Sequence, residues 1–196
     1  SEIGPRSLGN RSILSDPRTL IMKNALNTIK KREWWRPVAP VALEEKMEVC
    51  FSIKKRSPFM LELLDVMPDM QGKIPAVCHL DTTARIQTIA ENDNPRLHKA
   101  ISVFFGATGI PLLCNTSLND NYEPIIDSPD EALNFCLRKG IKVFYLNGKR
   151  FRLYEHDKFD ETAPRKRNSS FSVPTQQADP SLNPFNLSRD ELTCFW

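Results

Sequence analysis

The chain has 196 residues, a length that suits one domain with a buried core and a tail. Hydrophobic residues make up 40% and charged residues 26%, as in an ordinary globular protein, and the net charge of +3 argues against a large nucleic-acid-binding surface. Apolar runs stay well below the ~18 residues of a membrane-spanning helix, and the first residues lack a signal-peptide pattern, so we expect no membrane segment.

Cysteine and histidine spacing argues against a resident metal site. The five cysteines contain no CxxC pair and the three histidines form no HxxxH or HExxH pattern, whereas zinc sites need closely spaced ligands. Three of the cysteines lie in apolar runs and are predicted to be small buried hydrophobic residues. Unpaired cysteines of this kind indicate a reducing compartment, and we predict a cytoplasmic location.

The opening segment, "SEIGPRSLGNRSILSDPR", is predicted to be a loop that precedes the first helix. Asp16 is a good N-cap and Pro17 suits the first helical position, so the sequence predicts a helix from there to about Lys31–Arg32. Basic residues at its end complement the helix dipole. The following "WWRPVAP" contains two prolines, which predict a break in regular structure.

The middle of the chain alternates between predicted strands and one helix. "PFMLELLDV" and "KIPAVCHL" are typical of strands separated by a turn, and "ARIQTI" alternates as a third strand. "NPRLHKAISVFFGATG" begins at an Asn-Pro cap and ends at glycine, which predicts a helix. "IPLLCNTS" is a short apolar run that predicts a buried strand ending in a polar loop.

The last regular elements carry the clearest local signals. "DSPDEALNFCLRKG" predicts a helix with Ser128 as the cap, Glu131 as its capping-box partner and Gly140 after its end. "IKVFYL", "NG" and "KRFRLYE" predict a hairpin. The class is therefore α/β, with a twisted mixed sheet and flanking helices. We predict a linker and active-site loop over 1–16, the folded domain over 17–162, and an extended polar tail over 163–196.

Two basic segments are candidate phosphate-binding loops. In "GPRSLGNRS" the glycines allow close backbone approach, while Arg6 and Arg11 carry forked donors that suit phosphate. In "IKKREWWRPVAP" the cations could neutralise a polyphosphate; they are Lys30, Lys31, Arg32 and Arg36. The ordinary alternatives are a solvated terminus for the first segment and dipole-complementing charges with tryptophan core anchors for the second.

Polar residues after a buried strand form a third candidate site. In α/β folds, loops beyond strand ends commonly bind ligands, although a plain surface loop has the same composition. The candidates in "LLCNTSLNDNYEP" are Asn115, Thr116, Ser117 and Asn119. Arg85 in "HLDTTARIQTI" is a fourth candidate, but an arginine on a strand is usually a surface residue.

Taken in order, these segments resemble one family. "EIGPRSLGNRSILSDPR", "IKKREWWRPVAP", "SPFM", "HLDTTARIQT", "TGIPLLCNTSLN" and "EPIIDSPDEA" are similar to the C-terminal domain of the nodulation-protein U and tobramycin carbamoyltransferase family, over roughly residues 2–147. The resemblance implies a YrdC-like α/β domain that activates carbamoyl phosphate with ATP to carbamoyl-adenylate and pyrophosphate. It also implies an N-terminal sugar-kinase or actin-like domain, which holds iron or another transition metal and transfers the carbamoyl group to a hydroxyl.

The resemblance assigns roles residue by residue. Lys30 and Arg32 are similar to the Lys-x-Arg pair that grips phosphates, although adjacent Lys31 leaves the register open. Ser117 and Asn119 match the Ser-x-Asn element. The implied catalytic residues are therefore Lys30, Arg32, Ser117 and Asn119. The implied ATP- and substrate-binding residues are Arg6, Asn10, Arg11, Ser12, Lys31, Arg36, Arg85, Asn115 and Thr116. Cations, normally with Mg²⁺, would reduce the repulsion between two phosphorylated substrates.

Departures from the family pattern keep alternatives open. Thr82 and Tyr122 replace glycines of the family's DGT and GEP motifs, and Leu118 replaces a phenylalanine. If those glycines need a positive φ, the loops must differ locally. The chain could instead be a non-catalytic scaffold that docks a transfer partner. It could also bind RNA through its basic clusters at 54–56, 149–152 and 165–167. The sequence leaves the acceptor hydroxyl undetermined.

Overall fold

The computed structural model describes residues 9–121 and 123–159. Arg6, Tyr122 and the predicted tail from 163 onward lie outside the described residues. Those described form two compact units, 9–126 and 127–159.

The unit of residues 9–126 contains a five-stranded mixed sheet. Its strands are β1 (Ser12–Ser15), β2 (Pro40–Leu43), β3 (Glu62–Asp65), β4 (Thr83–Ile89) and β5 (Leu112–Ser117). Their order is β1-β5-β2-β4-β3, with β2 parallel to β4 and the other neighbours antiparallel. An α/β fold with a mixed sheet and flanking helices is thereby confirmed.

The sequence patterns do not indicate the central strand β2, because its first residue is the second of the two prolines in "WWRPVAP". All four of its residues are buried, and Val41 pairs with Gln87 on one side and Leu113 on the other. Pro40 occupies the first strand position, where a missing N–H is tolerated. The break in regular structure expected for "WWRPVAP" is confirmed over 34–39 and ends where Pro40 begins β2. The expectation that residues 12–15 are loop is wrong, since they form β1.

The predicted start of the first helix and the predicted strand over 73–80 are wrong for local reasons. Helix α1 spans Leu20–Ile29 with Thr19 as the N-cap, because the Asp16 carboxylate instead binds the backbone N–H and the guanidinium of Arg18. The predicted strand over 73–80 is a series of turns that follows the short helix α2 (Pro68–Gln71). There Ile74 N–H donates to the Met70 carbonyl, so this backbone group is satisfied locally.

Helix α3 (Pro95–Thr108) confirms the predicted helix and supplies much of the core. Its Asn94 cap accepts a hydrogen bond from Leu97 N–H, and Gly109 ends it in the left-handed conformation at φ 73°. Buried side chains of β2, β4 and α3 form one hydrophobic cluster, consisting of Val41, Leu43, Ile89, Leu97 and Ile101. This cluster fixes α3 on one face of the sheet.

The unit of residues 127–159 contains the predicted helix and hairpin. Helix α4 spans Pro129–Arg138, and its Ser128 cap accepts from Glu131 N–H at 3.2 Å. Strands β6 (Val143–Leu146) and β7 (Lys149–Arg152) are antiparallel and are joined by Asn147 and Gly148, both with positive φ. Both the helix and the hairpin predictions are confirmed.

Candidate functional site

The Lys30 ammonium group joins the end of α1 to the loop after β5. Its Nζ donates to the Ser117 carbonyl at 2.9 Å and to the Asn119 carbonyl and Oδ1, both at 2.5 Å. Only 8% of Lys30 is exposed. Two segments predicted separately as phosphate-binding and polar loops therefore meet at one buried cation.

The geometry of the α1 C-terminus distinguishes Lys30 from Lys31. Arg32 N–H donates to the Asn27 carbonyl and Lys31 N–H to the Thr28 carbonyl, both at 3.0 Å, which is the pattern of a Schellman motif. Lys31 stands at the left-handed position of that motif with φ 47°, and it is exposed. At this helix end Lys30 is thus buried, whereas Lys31 is exposed.

The loop after β5 is held by its own polar residues and by the opening segment. Ser117 Oγ donates to Asn119 Oδ1 at 2.5 Å, while Asn119 Nδ2 donates to the Glu123 carbonyl at 2.6 Å. Arg11 spans the loop, because its carbonyl accepts from Leu118 N–H at 2.8 Å and its guanidinium donates to the Ile126 carbonyl at 2.9 Å. Ser12 is the register partner of Ser117. The structure therefore brings Arg11 and Ser12 together with the Ser-x-Asn element.

Three arginines share one electrostatic environment. Burial lowers the pKa of Arg32, and the positive charges of Arg36 and Arg85 lower it further, while Glu33, which pairs with Arg36 at 2.7 Å, acts in the opposite direction. Within the part of the chain that the structure describes, Nη2 of Arg32 is buried without a hydrogen-bond partner. Like charges gathered around a buried guanidinium are unfavourable by themselves and become favourable when an anion binds.

His79 belongs to the same neighbourhood and was missed as a site residue. Thr83 Oγ1 donates to Asp81 Oδ1 at 2.7 Å and lies 3.1 Å from His79 Nδ1. Burial lowers the pKa of His79; the charges of Arg85 and Lys23 act in the same direction, and Asp81 opposes them. The signal was the histidine two residues before Asp81, which is also part of the family pattern.

Three other predicted site residues lie apart from the contacts of Lys30. Asn10 Oδ1 accepts from Asn94 Nδ2 at 3.5 Å, at the start of α3. Asn115 Nδ2 donates to Gln87 Oε1 at 2.5 Å, and both residues are buried. Thr116 pairs with Ile13, so its side chain lies on the opposite face of β5 from Asn115 and Ser117.

The basic cluster at 54–56 is largely paired with carboxylates. Arg56 bridges Glu44 and Asp93, each at 2.8 Å, and Lys55 pairs with Glu62 at 2.9 Å. This pairing reduces the charge that the cluster offers to a nucleic acid. The cluster at 165–167 lies outside the described residues.

Within residues 9–121 and 123–159, no group of three or more His, Cys, Asp or Glu side chains could hold a metal ion. None of the helices found there is long and apolar enough to cross a membrane.

Comparison with known proteins identifies the family. Residues 1–152 match the family described as "Carbamoyltransferase C-terminus", and this range includes every site residue described above. The chain belongs to the carbamoyltransferase C-terminus family. The resemblance derived from the motifs is therefore confirmed.

Relatives of this domain include nodulation proteins and an O-carbamoyltransferase. Nodulation protein NolNO of Sinorhizobium fredii is 45% identical over 141 residues, covering 70% of this chain and 21% of that protein. Nodulation protein U of the same species is 47% identical over 119 residues, with 61% and 21% covered. A 3′-hydroxymethylcephem-O-carbamoyltransferase of Amycolatopsis lactamdurans is 39% identical over 140 residues, with 71% and 26% covered. The matched region spans about a fifth to a quarter of these relatives.

Proposed function

We propose that this domain activates carbamoyl phosphate with ATP, forming carbamoyl-adenylate and releasing pyrophosphate. An N-terminal domain, implied by the much longer relatives, would then transfer the carbamoyl group to an acceptor hydroxyl. The observation that carries the proposal is the set of cations formed by Lys30, Arg32, Arg36 and Arg85, in which Arg32 Nη2 has no hydrogen-bond partner among the described residues.

The balance of atoms shows that the proposed reaction has two steps. Carbamoyl-adenylate keeps one phosphorus atom, from ATP, so the phosphate of carbamoyl phosphate must leave as inorganic phosphate with consumption of one water. The resulting carbamate oxygen attacks the α-phosphorus of ATP, and the bond to pyrophosphate breaks. Negative charge accumulates throughout, and fixed cations that stabilise it lower the barrier.

The contacts of the site support a division of roles. Arg32, Arg36 and Arg85 would bind the phosphate groups, with Arg32 Nη2 as a hydrogen-bond donor. Lys30 would hold Ser117 and Asn119 in place while adding its positive charge. A loop ordered in this way could orient the small carbamoyl group before reaction, which removes an entropic cost from the chemical step.

Mg²⁺ would enter with the nucleotide. The described residues offer no carboxylate-rich group for a dedicated ion, whereas Mg²⁺ in phosphoryl-transfer sites is commonly bound through substrate phosphates. Its chemistry would be to neutralise phosphate charge. Any iron or other transition metal would belong to the N-terminal domain.

The direct test is pyrophosphate release from ATP and carbamoyl phosphate. It should be measured with the chain alone and with the N-terminal part of nodulation protein U added. We expect Arg32→Ala and Ser117→Ala to lower kcat/KM by ~10²-fold, because each removes a group that contacts developing charge or orients the substrate. Arg96→Ala is the matched control, since Arg96 is exposed on α3, and its rate should stay within about twofold.

Two results would contradict the proposal. If Arg32→Ala and Ser117→Ala both release pyrophosphate at the wild-type rate, the proposed catalytic roles of these residues are wrong. Absence of turnover and of ATP binding, even with the N-terminal part present, would remove the function. Stable association with that part without ATP binding would favour a scaffold.

A further inference from the structure

Asn27 forms several hydrogen bonds with the basic segment 30–36, although no sequence motif indicates a role for this residue. It lies on the buried side of α1 and is 2% exposed. Its Nδ2 donates to the Trp34 carbonyl at 3.2 Å and to the Arg36 carbonyl at 2.8 Å, and its Oδ1 accepts from Arg32 Nε at 2.8 Å. Its backbone carbonyl also accepts from Arg32 N–H at 3.0 Å. One residue thus fixes both the path of the segment and the Arg32 side chain.

The chemistry of these contacts requires an uncharged amide. The two carbonyls need donors and Arg32 Nε needs an acceptor, and a primary amide supplies both at fixed geometry. Aspartate would accept from Arg32 but would leave the two carbonyls facing a carboxylate. It would also neutralise the guanidinium that an anion is to meet. Alanine or leucine would leave all three groups without their partner.

Arg32 needs such support because its surroundings disfavour it. The guanidinium is partly buried, and the positive charges of Arg36 and Arg85 repel it. A side chain in that position would lower its energy by turning to solvent unless another contact held it. The bond from Nε to Asn27 holds one edge of the guanidinium, and among the described residues the buried Nη2 has no hydrogen-bond partner.

We propose that Asn27 is a positioning residue that holds Arg32 and the segment 30–36 ready to bind a phosphate group without cancelling the positive charge. The inference rests on the proposed function, because the phosphate group is that of ATP or pyrophosphate. The end of α1 thereby positions the Lys-x-Arg pair. The loop after β5 holds Lys30, and Asn27 holds Arg32.

A double-mutant cycle tests the inference. Pyrophosphate binding to the 196-residue chain should be measured by calorimetry for wild type, Asn27→Ala, Arg32→Ala and the double variant. We expect Asn27→Ala to weaken binding about tenfold in the wild type and by less than twofold in the Arg32→Ala background, because Asn27 acts through Arg32. Asn24→Ala is the control: Asn24 is exposed on the same helix and undergoes the same change in helix propensity, so binding should stay within about twofold.

A second measurement needs no variant and no ligand. Hydrogen exchange of the Arg32 Nε–H in the wild-type chain, followed by ¹⁵N NMR, should be at least about tenfold slower than that of exposed Arg96. Equal exchange rates would overturn the inference, as would additive losses in the cycle or unchanged binding in Asn27→Ala. If wild type binds neither pyrophosphate nor ATP, the proposed function fails with the ligand part of the inference. The exchange rates still decide whether Asn27 holds Arg32.

Discussion

At the scale of single residues, Thr82 has a left-handed backbone conformation although it replaces a glycine of the family pattern. Thr82 has φ 65°, and its N–H donates to the His79 carbonyl at 3.1 Å. The next residue is fixed by Asp81 Oδ1, which accepts from Thr83 N–H at 3.1 Å. The surrounding turn thus imposes on a β-branched residue a conformation that suits glycine, at a cost of order 1 kcal/mol or more. The geometry expected from a glycine is retained here, and threonine carries the strain.

Replacing Thr82 with glycine should therefore stabilise the protein. We expect Thr82→Gly to raise the free energy of unfolding by about 1 kcal/mol, because the relief of strain exceeds the entropy that glycine adds to the unfolded chain. Urea denaturation measures the change. Thr82→Ala, which keeps Cβ but removes the branch, should fall between the two. A destabilised glycine variant would contradict the strain.

At the scale of secondary-structure elements, the ends of helices position the site more than their interiors do. The Schellman motif of α1 turns the chain so that Lys30 points toward Ser117 while Lys31 is exposed. The same turn brings Arg32 back over Asn27. Neighbouring lysines with the same chemistry thus have different surroundings because one of them occupies the left-handed position.

Lysine variants at this helix end separate the two positions. Lys31→Gly should raise the free energy of unfolding by about 0.5–1 kcal/mol, since glycine suits φ 47°, and pyrophosphate release should change less than about twofold. Lys30→Met should lower pyrophosphate release by ~10²-fold because it removes the buried cation. Both effects are measured by urea denaturation and a pyrophosphate assay. A large loss of activity in Lys31→Gly alone would assign the binding role to Lys31.

At the largest scale that the structure describes, the core and the site share one face of the sheet. Paired residues of neighbouring strands point to the same side, so Leu43, Ile89 and Leu113 lie on the face that also carries Asn115 and Ser117 farther along. Helix α3 covers the apolar part of this face through the cluster that includes Ile101. Beyond this cover Ser117 contacts Lys30 and Asn115 donates to Gln87, and the packed core holds their strands in register.

A core variant measures how strongly α3 is attached. Ile101→Ala should lower the free energy of unfolding by about 2–4 kcal/mol, because Ile101 is fully buried and its removal leaves a cavity. Val103→Ala is the control on the same helix, since Val103 is 62% exposed, and it should change stability by less than about 0.5 kcal/mol. Chemical denaturation of the two variants measures the difference. Similar values would contradict the packing of α3 on the sheet.

Features that depend on neighbouring residues can be predicted from the amino-acid sequence alone. Ser128, Asn94 and Gly109 mark helix ends because capping acts within a few residues, and "NG" marks the hairpin because two positive φ angles are needed there. The family could also be predicted from the sequence, because several motifs occur in the order typical of the family, whereas a single motif would not identify it.

Tertiary structure alone decided the features that join distant parts of the chain. Strand β2 is regular because β4 and β5 supply its hydrogen-bond partners, although a proline precedes it and another is its first residue. Lys30 is distinguished from Lys31 by Ser117, 87 residues away, and Asn27 gains its role only when α1 ends and the chain folds back. Local propensity contains no information about contacts at such separations. The site is therefore defined by the pairing of strands and by the way in which one helix ends.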